Sequence, residues 1–294
     1  MSRAASPSQG AWTNGLFVAP YLVAYLVLLL YPLLAGIWLS LHKADLFGGA
    51  VFVGAENFTR LLHDGVFLQA VRNTFVFVLL TVPALAVIAL ALALALNRPT
   101  RTAAFFRGVF FSSSVLSVTI VTLIWRLVLI PDGGLIANML HAVGRPPIPL
   151  LSHPDLVLPA IALTTVWWCI GLPMMLYLAA LQQVPAELYE AAALDKASPW
   201  KTLTRITLPS IRRTLVLVVV IQCVLQFQLF GQAQLLTQGG PSGASRPIVL
   251  FIYEVGFRRW DIGYAAAASE ILFGLILIAT IGQYVTTRGK EAGR

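Results

Sequence analysis

Charge is what this sequence has least of. Asp, Glu, Lys and Arg make up 11% of its 294 residues, against roughly 25% in an average soluble domain. A water-exposed protein of this length needs polar groups to dress its surface. The deficit, with 58% apolar residues and a mean hydropathy of +0.82, therefore excludes an ordinary soluble domain. Cysteine is almost missing too. Cys169 and Cys223 both fall in apolar runs, so neither a disulfide framework nor a thiolate metal site follows. The four histidines, His42, His63, His141 and His153, are scattered and form no HExxH pair. No GxxxxGK[ST] phosphate loop is present, since the only Gly-Lys pair, Gly289-Lys290, is followed by Glu291. No GxSxG nucleophile turn occurs either. None of these signatures of ATP hydrolysis or hydrolase chemistry occurs, and a membrane-embedded enzyme is not expected.

Long uncharged runs fill the space that charge leaves. Asp, Glu, Lys and Arg are absent between Arg3 and Lys43, from Asn73 to Asn97, from Gly108 to Trp125, from Leu156 to Ala186, from Thr214 to Ser245 and from Ile271 to Thr287. A helix needs about 20 mostly apolar residues to cross the hydrocarbon core. Only helices and closed barrels satisfy their backbone groups there. Barrel strands would show short alternating segments of about 10 residues, whereas these runs are continuous. The expectation is an all-α integral membrane protein, one transmembrane domain over 1–294, with spans near 16–40, 74–96, 109–130, 156–181, 214–236 and 265–286. The first run contains Pro20 and Pro32 and lacks a small-x-small cleavage site, so it reads as a retained span.

Basic residues orient the chain. Arg3, Arg98, Arg101, Arg107, Lys196, Lys201, Arg205, Arg212, Arg213, Arg288, Lys290 and Arg294 fall on one side, against Lys43, Arg60, Arg72, Arg145, Arg246, Arg258 and Arg259 on the other. Lys and Arg accumulate in cytoplasmic loops, so both termini are expected to be cytoplasmic. The net charge of +8 is explained by topology, and no nucleic-acid partner is expected.

The most informative segment lies between the fourth and fifth spans, about 185–209. Pro185 opens a run of helix formers, Ala186 to Leu194, with acids in its first turns. A break is expected around Lys196-Ala197. Ser198 then stands where an N-cap belongs, with Pro199 at the first helical position, and Pro209 ends or redirects the second helix. The segment is too polar to span. It reads as a helix–turn–helix on the cytoplasmic face, either a connector or a docking knob presenting Tyr189, Leu194 and Trp200 beside Glu190 and Asp195.

Glu190-Ala191-Ala192-x-x-Asp195-x-Ala197, closing with Ile206-x-Leu208-Pro209, resembles the EAA loop of ABC importer permeases. Further matches run along the chain: Glu56-Asn57-Phe58, Asn73-Thr74, Phe106-Arg107, the Leu236-Thr237-Gln238-Gly239-Gly240-Pro241 turn and Gly263-Tyr264-Ala265. They resemble the branch of maltose- and glycerol-3-phosphate-type permeases, in the first carbohydrate-uptake family. The resemblance implies the type I ABC importer permease fold. It also implies a second homologous permease, two cytoplasmic ATPases carrying ATP and Mg, an extracytoplasmic solute-binding protein, and a place in a bacterial inner membrane. It makes Tyr189, Glu190, Ala191, Ala192, Asp195, Lys196 and Ala197 the ATPase-coupling site. Lys196 replaces the family's glycine, where a φ > 0 turn is expected, and Ser112-Ser113-Ser114 replaces a Leu-Pro pair.

Span five carries Gln222, Gln226, Gln228, Gln232 and Gln234. Amides in hydrocarbon need partners, which are either other helices or a hydroxyl-rich solute. On a continuous helix Gln222 and Gln226 share one face and Gln228 and Gln232 another. Glu270 in span six is an intramembrane acid, set to meet solute or to pair with Arg126. Candidate path residues are therefore Gln222, Gln226, Gln228, Phe230 and Glu270. Trp167, Trp168, Phe227 and Phe230 are either stacking platforms for sugar rings or packing and interfacial residues. The expected function is translocation of a sugar or sugar-like solute by alternating access. The rival readings are a secondary transporter or channel acting without an ATPase, and a membrane scaffold.

Overall fold

A computed structural model describes residues 17–45 and 48–288, without the side chains of Tyr284, Thr286, Thr287 and Arg288. Arg3, Lys290 and Arg294, used above for orientation, lie outside the described residues. Three helices are long and apolar enough to cross a membrane singly: α1 (Phe17–Ser40), α3 (Gly65–Leu96) and α14, whose apolar stretch is Ile262–Gln283 of Ile262–Arg288. Three bent pairs bring the total to six when each pair is one span. They are α4 (Arg101–Ser113) with α5 (Val118–Leu129), α7 (Pro154–Cys169) with α8 (Gly171–Leu181), and α10 (Pro199–Ser210) with α11 (Arg212–Phe227). Short helices α2 (Glu56–His63), α6 (Leu135–Ala142), α9 (Ala186–Leu194), α12 (Gly231–Leu236) and α13 (Ile248–Tyr253) connect them. Among the described residues the strands form a two-stranded antiparallel ribbon, β1 (His42–Ala44) with β2 (Ala50–Phe52), in which Lys43 faces Val51.

The chain packs as two units, one reaching His63 and including Ile252–Ile271, the other Asp64–Phe251 with the residues from Leu272 onward. In the first, Asn57 is buried and its amide donates to the carbonyls of Ser40 and His42 at 2.9 and 3.0 Å, fastening α2 to the end of α1. Gly263 meets the His42 carbonyl so closely that no side chain fits there.

In the second unit α3 is the central element. Asp64 caps it, accepting from the Val66 and Phe67 N–H groups at 2.8 and 3.3 Å. Its buried stripe, Phe67, Ala70, Thr74, Phe77, Thr81, Leu85, Ala89 and Ala93, recurs every three or four residues. The small residues at its far end let α8 and α11 approach closely. They join a core with Met174, Tyr177, Leu178, Leu181 and Val218. At about 1.5 Å per residue, α3 exceeds the hydrocarbon thickness, which is why it starts nine residues before the expected span.

Three of the expected continuous spans are corrected. The run 156–181 bends by 47° at Ile170, between α7 and α8. The run 109–130 is not one helix: α4 and α5 meet at 98° across residues 114–117. Serines mark the bend. Ser112 and Ser113 hydroxyls donate to the carbonyls of Val109 and Phe110 at 2.8 Å, a back-bonding that loosens the helical ladder. Ser117 then caps the next helix. The run 214–236 breaks as well. Helix α11 ends at Phe227, Gln228 to Phe230 leave the helical conformation, and α12 restarts at Gly231. Gln228 and Gln232 therefore do not share a helical face.

Candidate functional site

The segment between spans four and five folds as the expected helix–turn–helix. Helix α9 closes with Lys196 at φ +47°. The Ala197 N–H donates to the Ala192 carbonyl at 2.9 Å and the Lys196 N–H to the Ala193 carbonyl at 3.1 Å. Together these are the paired bonds of a left-handed helix terminus. The position is one that glycine occupies without cost, and lysine occupies it here. Ser198 accepts from the Lys201 N–H at 3.4 Å and Pro199 sits in the first turn, as expected for a start signal. The redirection comes at Ile211, two residues after Pro209, where α10 and α11 diverge by 69°. A wide helical turn over Leu203–Thr207 precedes it. Tyr189 and Thr207 hydroxyls lie 3.3 Å apart and tie α9 to α10.

What this motif presents is unusual for a polar loop. Leu194 is 85% exposed and Trp200 71% exposed, with Glu190, Ala191, Asp195 and Lys196 exposed around them. Ala192 is buried and Tyr189 and Ala197 are half-buried, so these three hold the motif together while the others face outward.

The candidate path residues separate. Gln222 and Gln226 are buried on one face of α11, and the Gln226 amide donates to the Gln222 oxygen at 3.1 Å. Gln232 is buried and donates to the Thr165 hydroxyl at 3.4 Å, a bond from α12 to α7. These amides satisfy one another inside the unit. Gln228 is exposed and Phe230 half-buried, both in the break between α11 and α12. Glu270 belongs to the other unit, where its carboxylate lies over Gly36 of α1, 3.0 Å from the place a Cβ would take. Arg126 is exposed in the last turn of α5, where a cation complements the helix dipole. Phe227 is fully buried against Phe75, and the Trp168 indole donates to the Leu116 carbonyl at 3.0 Å, so both serve packing. Trp167 packs edge-on to Trp125.

One part was not anticipated from sequence. Asn73 and Thr74 clamp the loop after α12. The Asn73 amide donates to the carbonyls of Gly243 and Arg246 at 2.8 and 2.9 Å, and Thr74 accepts from the Ile248 N–H at 3.0 Å. Ser245, fully buried, lies 2.7 Å from the Thr237 hydroxyl and donates to the Gly240 carbonyl.

Comparison with known proteins places this arrangement. Residues 47–290 match the family of binding-protein-dependent transport system inner membrane components. The chain belongs to that family. As a permease of this kind it is 31% identical to the lactose transport system permease protein LacF of Rhizobium radiobacter, over 95% of each chain. It is 29% identical to the sn-glycerol-3-phosphate transport system permease protein UgpA of Salmonella typhimurium, over 97% of each. The permease also shares the fold of a chain in the crystal structure of a bacterial alginate ABC transporter in complex with an alginate pentasaccharide-bound periplasmic protein. The TM-score is 0.83 with 23% identity, covering 95% of both chains. It is a multi-pass membrane subunit of an ABC importer that works with a solute-binding protein.

Proposed function

We propose that this permease forms half of a translocation pore for a sugar or sugar-like solute in a bacterial inner membrane. It acts beside a second homologous permease and two ATP-hydrolysing subunits that bind ATP and Mg. The observation that carries the reading is the exposed knob of α9 and α10. A loop whose leucine and tryptophan stand 85% and 71% exposed beside acids has the composition of a docking surface. The residues Tyr189, Glu190, Ala191, Ala192, Asp195, Lys196 and Ala197 build it. Movement of the docked ATPases shifts the balance between two packings of the spans.

The solute passes the break at Gln228–Phe230, on this reading. Non-helical backbone at membrane depth is tolerated where it is buried in protein or lines a wet cavity, and broken helices supply solute contacts in transporters. Gln228 supplies the amide for solute hydroxyls, while Gln222 and Gln226 support the helix that precedes it. Glu270, with Gly36 beneath it, marks a second polar point in span six. The support for sugar as cargo is the lactose and glycerol-3-phosphate transport of the relatives. Proteoliposomes of the assembled importer, with ATP enclosed and binding protein added, test this directly. Uptake of a radiolabelled sugar that requires both is expected. Uptake driven by an ion gradient through the chain alone would overturn it.

A further inference from the structure

A cleft of about 420 Å³ lies between the first halves of α3 and α7. Its lining joins Gln69, Arg72 and Asp155 to the apolar side chains of Val76, Leu80 and Leu158. On α3 the residues Arg72, Val76 and Leu80 follow one another at intervals of four, so they form one row along the helix. That row runs from a cation into the uncharged stretch Asn73–Asn97, the part that lies in hydrocarbon. Arg72 is exposed and has no ion-pair partner among the described residues. Asp155 has a side chain 90% exposed. The neighbouring His153 lies 3.9 Å from the Asp155 carboxylate, but its Nδ1 accepts from the Asp155 N–H at 3.3 Å.

A cation above an aliphatic groove at the membrane boundary matches a phospholipid, whose phosphate and acyl chain are joined in that order. The acid in the same lining narrows the choice. An anionic headgroup, or a free phosphate ester, would meet the Asp155 carboxylate unfavourably. A headgroup carrying a primary ammonium next to its phosphate satisfies both charges, and ammonium N–H groups donate to a carboxylate as a quaternary amine does not. We propose that this cleft binds one phospholipid of the ethanolamine class, with its phosphate on Arg72, its ammonium on Asp155 and one acyl chain along Val76, Leu80 and Leu158.

The test uses the assembled importer in nanodiscs of equal parts phosphatidylethanolamine, phosphatidylcholine and phosphatidylglycerol, released into a native mass spectrometer. Retention of the ethanolamine lipid about 10-fold above the other two is expected, the ratio that about 1.4 kcal/mol produces. Arg72→Ala should lower its retention by a similar factor. Asp155→Asn should leave lipid bound but erase the preference. Both side chains are exposed, so neither substitution disturbs folding, and ATP-driven uptake measured on the same samples should be unchanged. Equal retention of the three lipids overturns the proposal. So does a preference that survives both substitutions, or an empty cleft because the second permease covers it. Displacement of the lipid by millimolar glycerophosphoethanolamine or glycerol phosphate would point to a soluble ligand and overturn it too.

Discussion

Lys196 is held at φ +47°, a conformation that costs a residue with a Cβ about 1–2 kcal/mol. The two terminal bonds from Ala197 and Lys196 that close α9 depend on it. Lys196→Gly should therefore stabilise the turn by about 1 kcal/mol, seen as a higher midpoint in thermal unfolding of the purified importer. An unchanged or lower midpoint would mean that the lysine side chain contributes something the backbone argument omits. At this scale sequence reading went far in the segment between spans four and five, because helix starts and stops are local. Ser198 and Pro199 announce a helix start by their own chemistry, whereas the left-handed turn was suggested only by the glycine that the resembling family has where Lys196 stands. Asn73 was not legible in the same way. Its partners, Gly243 and Arg246, lie far along the chain, and an amide's acceptors leave no mark on neighbouring residues. Lys196 also shows that a turn geometry persists when its favoured residue is gone, since the surrounding bonds enforce it.

The elements show where hydropathy stops being informative. An apolar run sets how much chain lies in the membrane but carries no direction, so the 98° bend between α4 and α5 and the break after Phe227 left no trace in it. The bends come from contacts. The Ser114 hydroxyl donates to the Trp168 carbonyl at 3.2 Å and the Ser113 hydroxyl lies 3.3 Å from the Trp167 and Trp168 carbonyls, holding the α4 end to the end of α7. Gly171 makes this approach possible. A Cβ there would stand 2.6 Å from the Phe110 carbonyl oxygen and 2.8 Å from the Phe111 Cα. Backbone atoms cannot swing aside, so Gly171→Ala should destabilise by about 1–3 kcal/mol. The check is the thermal midpoint and the yield of folded complex, with Gly108→Ala, which meets nothing within 4 Å, as the neutral control. A Gly171→Ala protein as stable as wild type would mean that α4 and α8 do not pack this closely. The span-five glutamines belong to the same scale. Gln222 and Gln226 turned out to bond each other along one helix, which the four-residue spacing allowed and hydropathy could not choose.

For the whole molecule, the membrane class followed from the charge deficit together with the apolar fraction and the long uncharged runs, and the family followed from motifs spread over nearly the full length. The family match over residues 47–290 agrees with that reading. The two units into which the chain divides were not legible, because Ile252–Ile271 joins residues near the other end of the chain and long-range packing has no local signature. On the proposed reading, energy reaches this permease from subunits outside it. The account places that delivery at the α9–α10 knob, and Leu194 is its most exposed apolar side chain.

Leu194→Glu tests this most directly. The side chain is 85% exposed in the isolated permease, so the substitution should leave its own thermal stability within about 0.5 kcal/mol. A charge placed in an apolar docking contact costs several kcal/mol in the complex. The measurement is the fraction of ATPase subunits that co-purifies with the permease, with ATP hydrolysis read with and without solute-loaded binding protein. The account predicts that Leu194→Glu loses the ATPase subunits, or the stimulation by binding protein, while the permease stays folded. A fully assembled and stimulated complex carrying Leu194→Glu would contradict it.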